Sequence, residues 1–275
     1  MVPNVVNLHF TDKCNYKCVY CFSKRYNNDE LSVQEWFKII DNVNTYFKVN
    51  SIYDKRINLV GGEPLLFDIV YKLVDYIYGL EIKVSIITNG SLLTKKVIDR
   101  LSPKVNMIGV SVDSLNTNTN FEIGRNNSGQ LMDYNILLDN LSYIKSKKIK
   151  LKINTVVSKA NYKEDFSNFL ETVAPDRYKI IQVYINEGVN SNSKNLVPTE
   201  LEFRKFSERH KLFKPVVEDN SKMENAYIMV DSQGNLISNI DFKYTTIGNL
   251  LNESLEDLLP KLNLNNDNFA LRYKN

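Results

Sequence analysis

The chain has 275 residues, 43% of them hydrophobic and 24% charged, which excludes a disordered or fibrous protein and gives material for a substantial core. A net charge of +3 is too small to argue for a nucleic-acid partner, so any basic site has to be argued locally. No apolar run approaches the roughly 18 residues of a membrane-spanning helix, and the N-terminal MVPNVVNLHF has neither the basic region nor the apolar stretch of a signal peptide, so no membrane is expected.

Residues 5–10 read as a first strand, and a cysteine-bearing loop follows at once. Ser32 then reads as a helix N-cap with Glu35 completing a capping box, and Trp36, Ile39, Ile40, Val43 and Phe47 follow at helical spacing. Residues 56–60 form a short buried strand that runs into GGEP, and 67–78 a helix. Strands that end in turns are expected at 82–90 and 106–114, a helix at 133–147, a fifth strand at 150–158, a helix at 162–173 and a sixth strand at 177–185. The strands are nearly continuous runs of Val and Ile, the pattern of a parallel sheet covered by helices. The fold class is therefore α/β, a partial (β/α)6 TIM-like barrel over residues 1–185. A polar loop at 186–195 leads into a C-terminal extension, 186–275, with a helix at 199–211, a hairpin around 232–235 and a helix near 253–262. No linker rich in Pro, Gly or Ser separates the two parts, and one structural domain is expected.

All three cysteines of the chain lie in CNYKCVYC, at Cys14, Cys18 and Cys21. Three cysteines this close cannot form a disulfide framework, and a reducing cytoplasm is the expected location. The loop sits at the carboxyl end of the first strand, the face on which barrels build active sites. Three soft thiolates suit an iron–sulfur cluster: a [4Fe–4S] cube held by three cysteines keeps one iron open to another ligand. Two other readings stay open at this point. Structural zinc would need His9 or His210 as fourth ligand, and Cys18-x-x-Cys21 alone fits a dithiol redox motif.

The C-x3-C-x2-C spacing after a first strand, with Tyr20 and Phe22 beside it and GGEP after the second strand, resembles the radical S-adenosylmethionine (SAM) superfamily. The resemblance implies a [4Fe–4S] cluster on Cys14, Cys18 and Cys21, and SAM chelating the open iron. One electron would cleave SAM to methionine and a 5′-deoxyadenosyl radical, which takes a hydrogen from substrate. On residue chemistry, Gly61 and Gly62 allow close approach of backbone to a ligand, and Glu63 offers a carboxylate to the SAM ammonium. Asn89 and Ser111 close strands where a ribose could bind, and Arg125 could pair with the SAM carboxylate. Each of these also reads as a turn residue or a solvated loop charge. The absence of further cysteines disfavours members with auxiliary clusters, including peptide-modifying types.

Longer stretches are similar to the viperin family: NLHFTDKCNYKCVYCF (7–22), INLVGGEP (57–64), VSIITNGSL (84–92), PDRYKIIQ (175–182), ERHK (208–211) and NSKMENAYIMVD (220–231). The resemblance implies conversion of a nucleoside triphosphate to its 3′-deoxy-3′,4′-didehydro analogue, an antiviral terminator of RNA chains. CTP is favoured by the family, with UTP and GTP open, and another phosphorylated small molecule is the alternative reading. Arg177 and Lys179 are two apart on a strand and share a face. With Lys152 they correspond to the family's triphosphate contacts, and Arg56 to a basic residue near them. Asn7 and Asn154 are placed to meet the sugar or phosphate, and Tyr227 matches a tyrosine assigned to quenching the product radical. An electron donor of flavodoxin or ferredoxin type and a monomeric state are expected. The amphipathic membrane helix and terminal tryptophan of animal members have no counterpart here. Whether Arg272 and Lys274 form a lid over the triphosphate is left open.

Overall fold

The computed structural model describes residues 2–23 and 30–273; Lys274 lies outside them. The parallel strands are β1 (Val5–His9), β2 (Arg56–Val60), β3 (Lys83–Thr88), β4 (Val105–Ser111), β5 (Lys150–Val157) and β6 (Arg177–Gln182). They pair in sequence order, the arrangement expected of the barrel. Their covering helices are α1 (Val33–Val49), α2 (Ile69–Gly79), α3 (Lys95–Leu101), α4 (Thr117–Glu122), α5 (Tyr134–Ser146) and α6 (Ser167–Val173). After α7 (Glu200–Arg209) come β7 (Val216–Glu218), β8 (Ile228–Val230), β9 (Asn235–Ile240), β10 (Lys243–Asn249), α8 (Leu255–Leu258) and α9 (Asn266–Tyr273). Among the described residues the sheet runs β10-β9-β8-β1-β2-β3-β4-β5-β6-β7. It is wider than six strands: β7 and β8 each add a parallel strand at a flank, and β9 and β10 add an antiparallel hairpin.

The strong local signals hold. Ser32 and Glu35 make a reciprocal capping box, with Ser32 N–H to Glu35 Oε2 at 2.8 Å, and α1 buries Trp36, Ile39, Ile40, Val43 and Phe47. A second capping box, Thr199 with Glu202, starts α7. The hairpin near 232–235 lies between β8 and β9, where the Asp231 carboxylate accepts from Gln233 N–H and Asn235 N–H.

Weak signals were missed for a common reason. Helix α3 buries only Ile98 and Leu101, and α4 buries nothing, so neither has a readable apolar stripe. Helix α6 starts at Ser167 rather than 162, because the Asn161 side chain holds a turn by accepting from Ser158 N–H at 2.7 Å. The helix expected near 253–262 is α8 followed by a 3-10 turn, Leu259–Leu262, which contains Pro260. One cluster of buried apolar side chains runs from Val5 to Phe269, joining barrel and extension.

Candidate active site

A cavity of about 290 Å³ runs inside the barrel, from the cysteine loop at the carboxyl ends of the strands to Arg56, Lys152 and Arg177 near their amino ends. Strand alternation builds its wall. On β5 and β6, Lys152, Asn154, Arg177, Lys179 and Ile181 face the cavity, while Leu151, Ile153, Tyr178 and Ile180 pack outward into the core. Of the residues proposed from the sequence for the cluster, SAM and substrate, all but Glu63 line this cavity.

The GGEP segment packs closely against the cysteine loop. A Cβ on Gly61 would lie 2.3 Å from Thr11 O, and one on Gly62 2.0 Å from Lys13 O. Gly62 N–H donates to Thr11 O at 2.7 Å and Glu63 N–H to Lys13 O at 2.9 Å. The glycines therefore admit the backbone of the cysteine loop itself, at φ +146° for Gly61, rather than ligand alone. Glu63 is fully buried and is not among the residues that line the cavity. Its Oε1 accepts from Thr88 Oγ1 at 2.7 Å and Leu65 N–H at 3.0 Å, and its Oε2 from Asn89 N–H at 2.7 Å. These bonds tie the GGEP turn to the end of β3.

The three cysteines form no disulfide and border the same cavity. Tyr16 N–H and Asn89 Nδ2 approach Cys14 Sγ at 3.4 and 3.7 Å, and Arg125 Nη1 lies 3.9 Å from Cys18 Sγ. Burial pushes the Cys18 thiol up to about 12 and raises Cys14 as well, with Arg125 opposing. Holding these sulfurs as thiolates therefore calls for a bound cationic centre. Among the described residues no three of His, Cys, Asp or Glu are grouped to hold a single metal ion. His210 is fully buried elsewhere, with Nε2 accepting from Phe166 N–H and Nδ1 against Phe206 O, and is lost as a zinc ligand. Three soft donors around one cavity, with hydrogen-bond donors aimed at the sulfurs, fit a [4Fe–4S] cluster.

Beside the thiols sits an ion pair that the sequence reading had only half found. Arg125 Nη1 meets Asp113 Oδ2 at 2.9 Å and Nη2 donates to Ser111 O at 2.6 Å, while the Tyr20 hydroxyl donates to the same Asp113 oxygen at 2.8 Å. Burial alone would lower the Arg125 guanidinium, but Asp113 and Cys18 outweigh it and hold it up. Asp113 went unnoticed although it stands two residues past Ser111 at a strand end. Phe22 lines the cavity edge-on to His9, and Asn89 Nδ2 bonds Asn15 Oδ1 at 2.9 Å.

The opposite end is cationic. Lys152 pairs in register with Arg177, and Asn154 with Lys179. Burial, with Lys179 and Arg177 close by, pushes Lys152 well below the ordinary lysine range. Asn154 Oδ1 is buried without a hydrogen-bond partner. Asn7 Nδ2 donates to Ile228 O at 3.0 Å and to the Tyr273 hydroxyl at 3.2 Å. Helix α9, not identified from the sequence, closes this end. Arg272 is fully buried with its guanidinium 4.3 Å from the Tyr227 ring centroid, and Arg177 donates to the Arg272 carbonyl. The Arg56 guanidinium lies 5.4 Å from the Tyr273 ring centroid. Tyr227 stands among Lys179, Arg272 and the buried Glu218; burial and then Glu218 push its phenol up. Among the described lining residues the sole carboxylate is Asp113, already paired with Arg125 at the other end. Arg56, Lys152, Arg177, Lys179 and Arg272 therefore gather at this end, with one buried carboxylate, Glu218 behind the wall, paired to Lys179 and Arg272.

The model of the radical SAM superfamily matches residues 8–173. An S-adenosylmethionine-dependent nucleotide dehydratase of Selenomonas ruminantium is 34% identical over 98% of both chains. One from Psychrobacter lutiphocae is 32% identical over 98% of this chain and 94% of its own. The RSAD2 protein of Oncorhynchus mykiss, which bears the same name, is 30% identical over 83% of this chain and 67% of its own. Among solved structures, Streptococcus suis SuiB bound to its precursor peptide SuiA superposes with a TM-score of 0.69 at 18% identity, over 93% of this chain but only 64% of that longer one. The anSMEcpe enzyme with bound AdoMet and a peptide gives 0.69 at 17% identity, over 97% of this chain and 84% of its own. At these identities the solved structures speak for the fold alone. The chain belongs to the radical SAM superfamily, whose members use a [4Fe–4S] cluster and S-adenosylmethionine, and within it to the viperin family of S-adenosylmethionine-dependent nucleotide dehydratases.

Proposed function

We propose that the enzyme dehydrates a nucleoside triphosphate to its 3′-deoxy-3′,4′-didehydro analogue, with CTP the favoured base and UTP or GTP the alternatives. The supporting observation is the two-ended cavity: thiols at one end, and at the other five cations with no carboxylate lining the wall between them. Lys152 and Val156 are four residues apart on β5, about 13 Å along the strand. A triphosphate held at Lys152 would then leave its sugar near Asn154, facing the thiol end.

When bound, the cluster and SAM supply a 5′-deoxyadenosyl radical. Cys14, Cys18 and Cys21 hold the cluster, while Tyr20, Phe22, Gly61, Gly62, Asn89, Ser111 and Arg125 shape the SAM end. Arg56, Lys152, Arg177 and Lys179 bind the phosphates, and Asn7 and Asn154 orient the ribose so that H4′ faces the thiol end. Loss of H4′ is followed by departure of the 3′-hydroxyl as water, which consumes one proton, and by uptake of one electron. In this reading Tyr227 gives its phenolic proton to the departing hydroxyl and one electron to the sugar, and the tyrosyl radical left behind is restored by one electron from the external donor and one proton from solvent. The electron for SAM cleavage comes from a flavodoxin- or ferredoxin-type donor, and the enzyme works as a cytoplasmic monomer whose product terminates viral RNA chains.

The test is anaerobic reconstitution with iron and sulfide, then incubation with dithionite, SAM and each of the four triphosphates. 5′-Deoxyadenosine and a didehydro nucleotide should form together with one triphosphate. If 5′-deoxyadenosine stays at background with all four, the proposal is wrong.

A further inference from the structure

The two lysines of the cationic end are not equivalent. Lys179 and Lys152 stand on adjacent strands with side chains facing the same cavity. Lys179 has a carboxylate partner, Glu218 Oε1 at 2.6 Å, whereas no carboxylate lies beside Lys152 among the ion pairs of the described residues. Glu218 is the last residue of β7, fully buried behind the wall. Its Oε1 also lies 2.9 Å from Arg272 Nε, and its Oε2 accepts from the Tyr227 hydroxyl. One carboxylate thus gathers a strand-borne ammonium, a guanidinium from α9 and a phenol that precedes β8.

Strand β7, at one edge of the sheet, does not pair with β8, which lies between β1 and β9. Glu218 and Tyr227, on either side of that gap, meet through side chains. Burial would raise the Glu218 carboxyl, but Lys179 and Arg272 outweigh it and keep it below the usual carboxylate range. Burial lowers both lysines. For Lys179 the Glu218 charge is the leading opposing influence, against Arg272. For Lys152 burial again comes first, Lys179 and Arg177 add to it, and Glu218 opposes them more weakly than they act. A lysine that loses its proton is no longer a phosphate ligand, while a guanidinium does not face that loss.

We propose that Glu218 is a positioning residue of the polyanion site: its carboxylate keeps the Lys179 ammonium charged and aimed across the cavity. The inference rests on the triphosphate reading above. The groups facing Lys179 are Glu218 from β7, Tyr227 ahead of β8, Arg272 and Tyr273 from α9, Arg177 on its own strand and Lys152 from β5.

The probe is inorganic tripolyphosphate, titrated calorimetrically into anaerobically reconstituted protein without SAM, with bound iron counted before and after. Wild type, Glu218→Gln, Glu218→Asp and the double variant Glu218→Gln/Lys179→Arg are compared at pH 6.5 and 8.5. The ratio of Glu218→Gln affinity to wild-type affinity should fall tenfold or more from the lower pH to the higher. Glu218→Asp should keep the wild-type ratio, and the double variant, with a side chain that stays charged, should lose the pH dependence. A loss in Glu218→Gln that is the same at both pH values is what a merely structural residue would give, and it would overturn the inference. If Glu218→Gln does not fold, the Nζ resonance of Lys179 in the wild type decides. An ammonium still charged at pH 8.5 supports the inference, and a neutral amine overturns it. Wild-type protein that binds no tripolyphosphate at either pH would overturn the triphosphate reading and this inference with it. Wild-type binding without a pH-dependent variant overturns the inference alone.

Discussion

At the scale of single residues, the cavity separates two kinds of side chain. Those at the thiol end are committed to partners within the protein: Arg125 to Asp113 and Ser111, Tyr20 to Asp113, Asn89 to Asn15 and Cys14. Those at the cationic end are less satisfied. Asn154 Oδ1 and the Nε atoms of Arg56 and Arg177 are buried without hydrogen-bond partners, which marks a surface prepared for a ligand. Replacing Lys152, Arg177 or Lys179 singly by Ala should weaken triphosphate binding by about tenfold or more, roughly 1.4 kcal/mol. SAM binding, followed by its effect on the cluster's spectrum, should survive. Unchanged triphosphate affinity in all three variants would point to another phosphorylated substrate.

At the scale of elements, capping and loop contacts decide where the chemistry sits. The capping box of Ser32 and Glu35 starts α1, and its hydrogen bonds hold Glu35 below the ordinary carboxyl range. Ser32→Ala should lower stability by about 1 kcal/mol, read as a shift of the denaturant midpoint. Metal content should not change, since the cap lies outside the cavity wall. A loss of iron in this variant would show that α1 holds the cysteine loop more directly than the contacts indicate. The GGEP turn stands in contrast. It leads from β2 into a three-residue 3-10 turn, Pro64–Leu66, and its two glycines and Glu63 lock the cysteine loop against the ends of β1 and β3.

At the scale of the whole molecule, the barrel is open at one seam and its buried titratable groups set how it meets acid. Burial lowers His210 from the ordinary 6.5, with the Phe206 carbonyl and Asp165 opposing. The fold therefore keeps His210 neutral, while the unfolded chain takes up a proton below about pH 6.5. Its contribution is fully present above that value and is lost as pH falls below it. Glu218 works in the same direction but later. Its folded pKa lies below the ordinary 4.5, so its contribution is present above that value and disappears only as pH falls through the lowered one. The denaturant midpoint of the anaerobic holoprotein should therefore drop between pH 7.5 and 5.5. In His210→Gln, whose amide can accept from Phe166 N–H and donate to Phe206 O, that drop should largely vanish. An equal drop in the variant would assign the acid sensitivity to another group.

The sequence by itself determined the chemistry at the thiol end and the frame that carries it. Three cysteines within eight residues, the GGEP turn and runs of Val and Ile are local signals, each complete inside one stretch of chain. The alternation that turns Lys152, Arg177 and Lys179 inward is equally local, because a strand repeats every two residues. Only the tertiary structure decided what those residues meet. Glu218 lies in a three-residue strand, too short for a periodic pattern, and Arg272 and Tyr273 lie in a final helix whose stretch read as a tail. Asp113 becomes a partner of Arg125 only once β4 and the following loop fold together. The Gly61 and Gly62 backbone contacts with Thr11 and Lys13 likewise join segments far apart in the chain. Burial and pairing across such separations depend on the folded path of the whole chain, and no spacing along it encodes them.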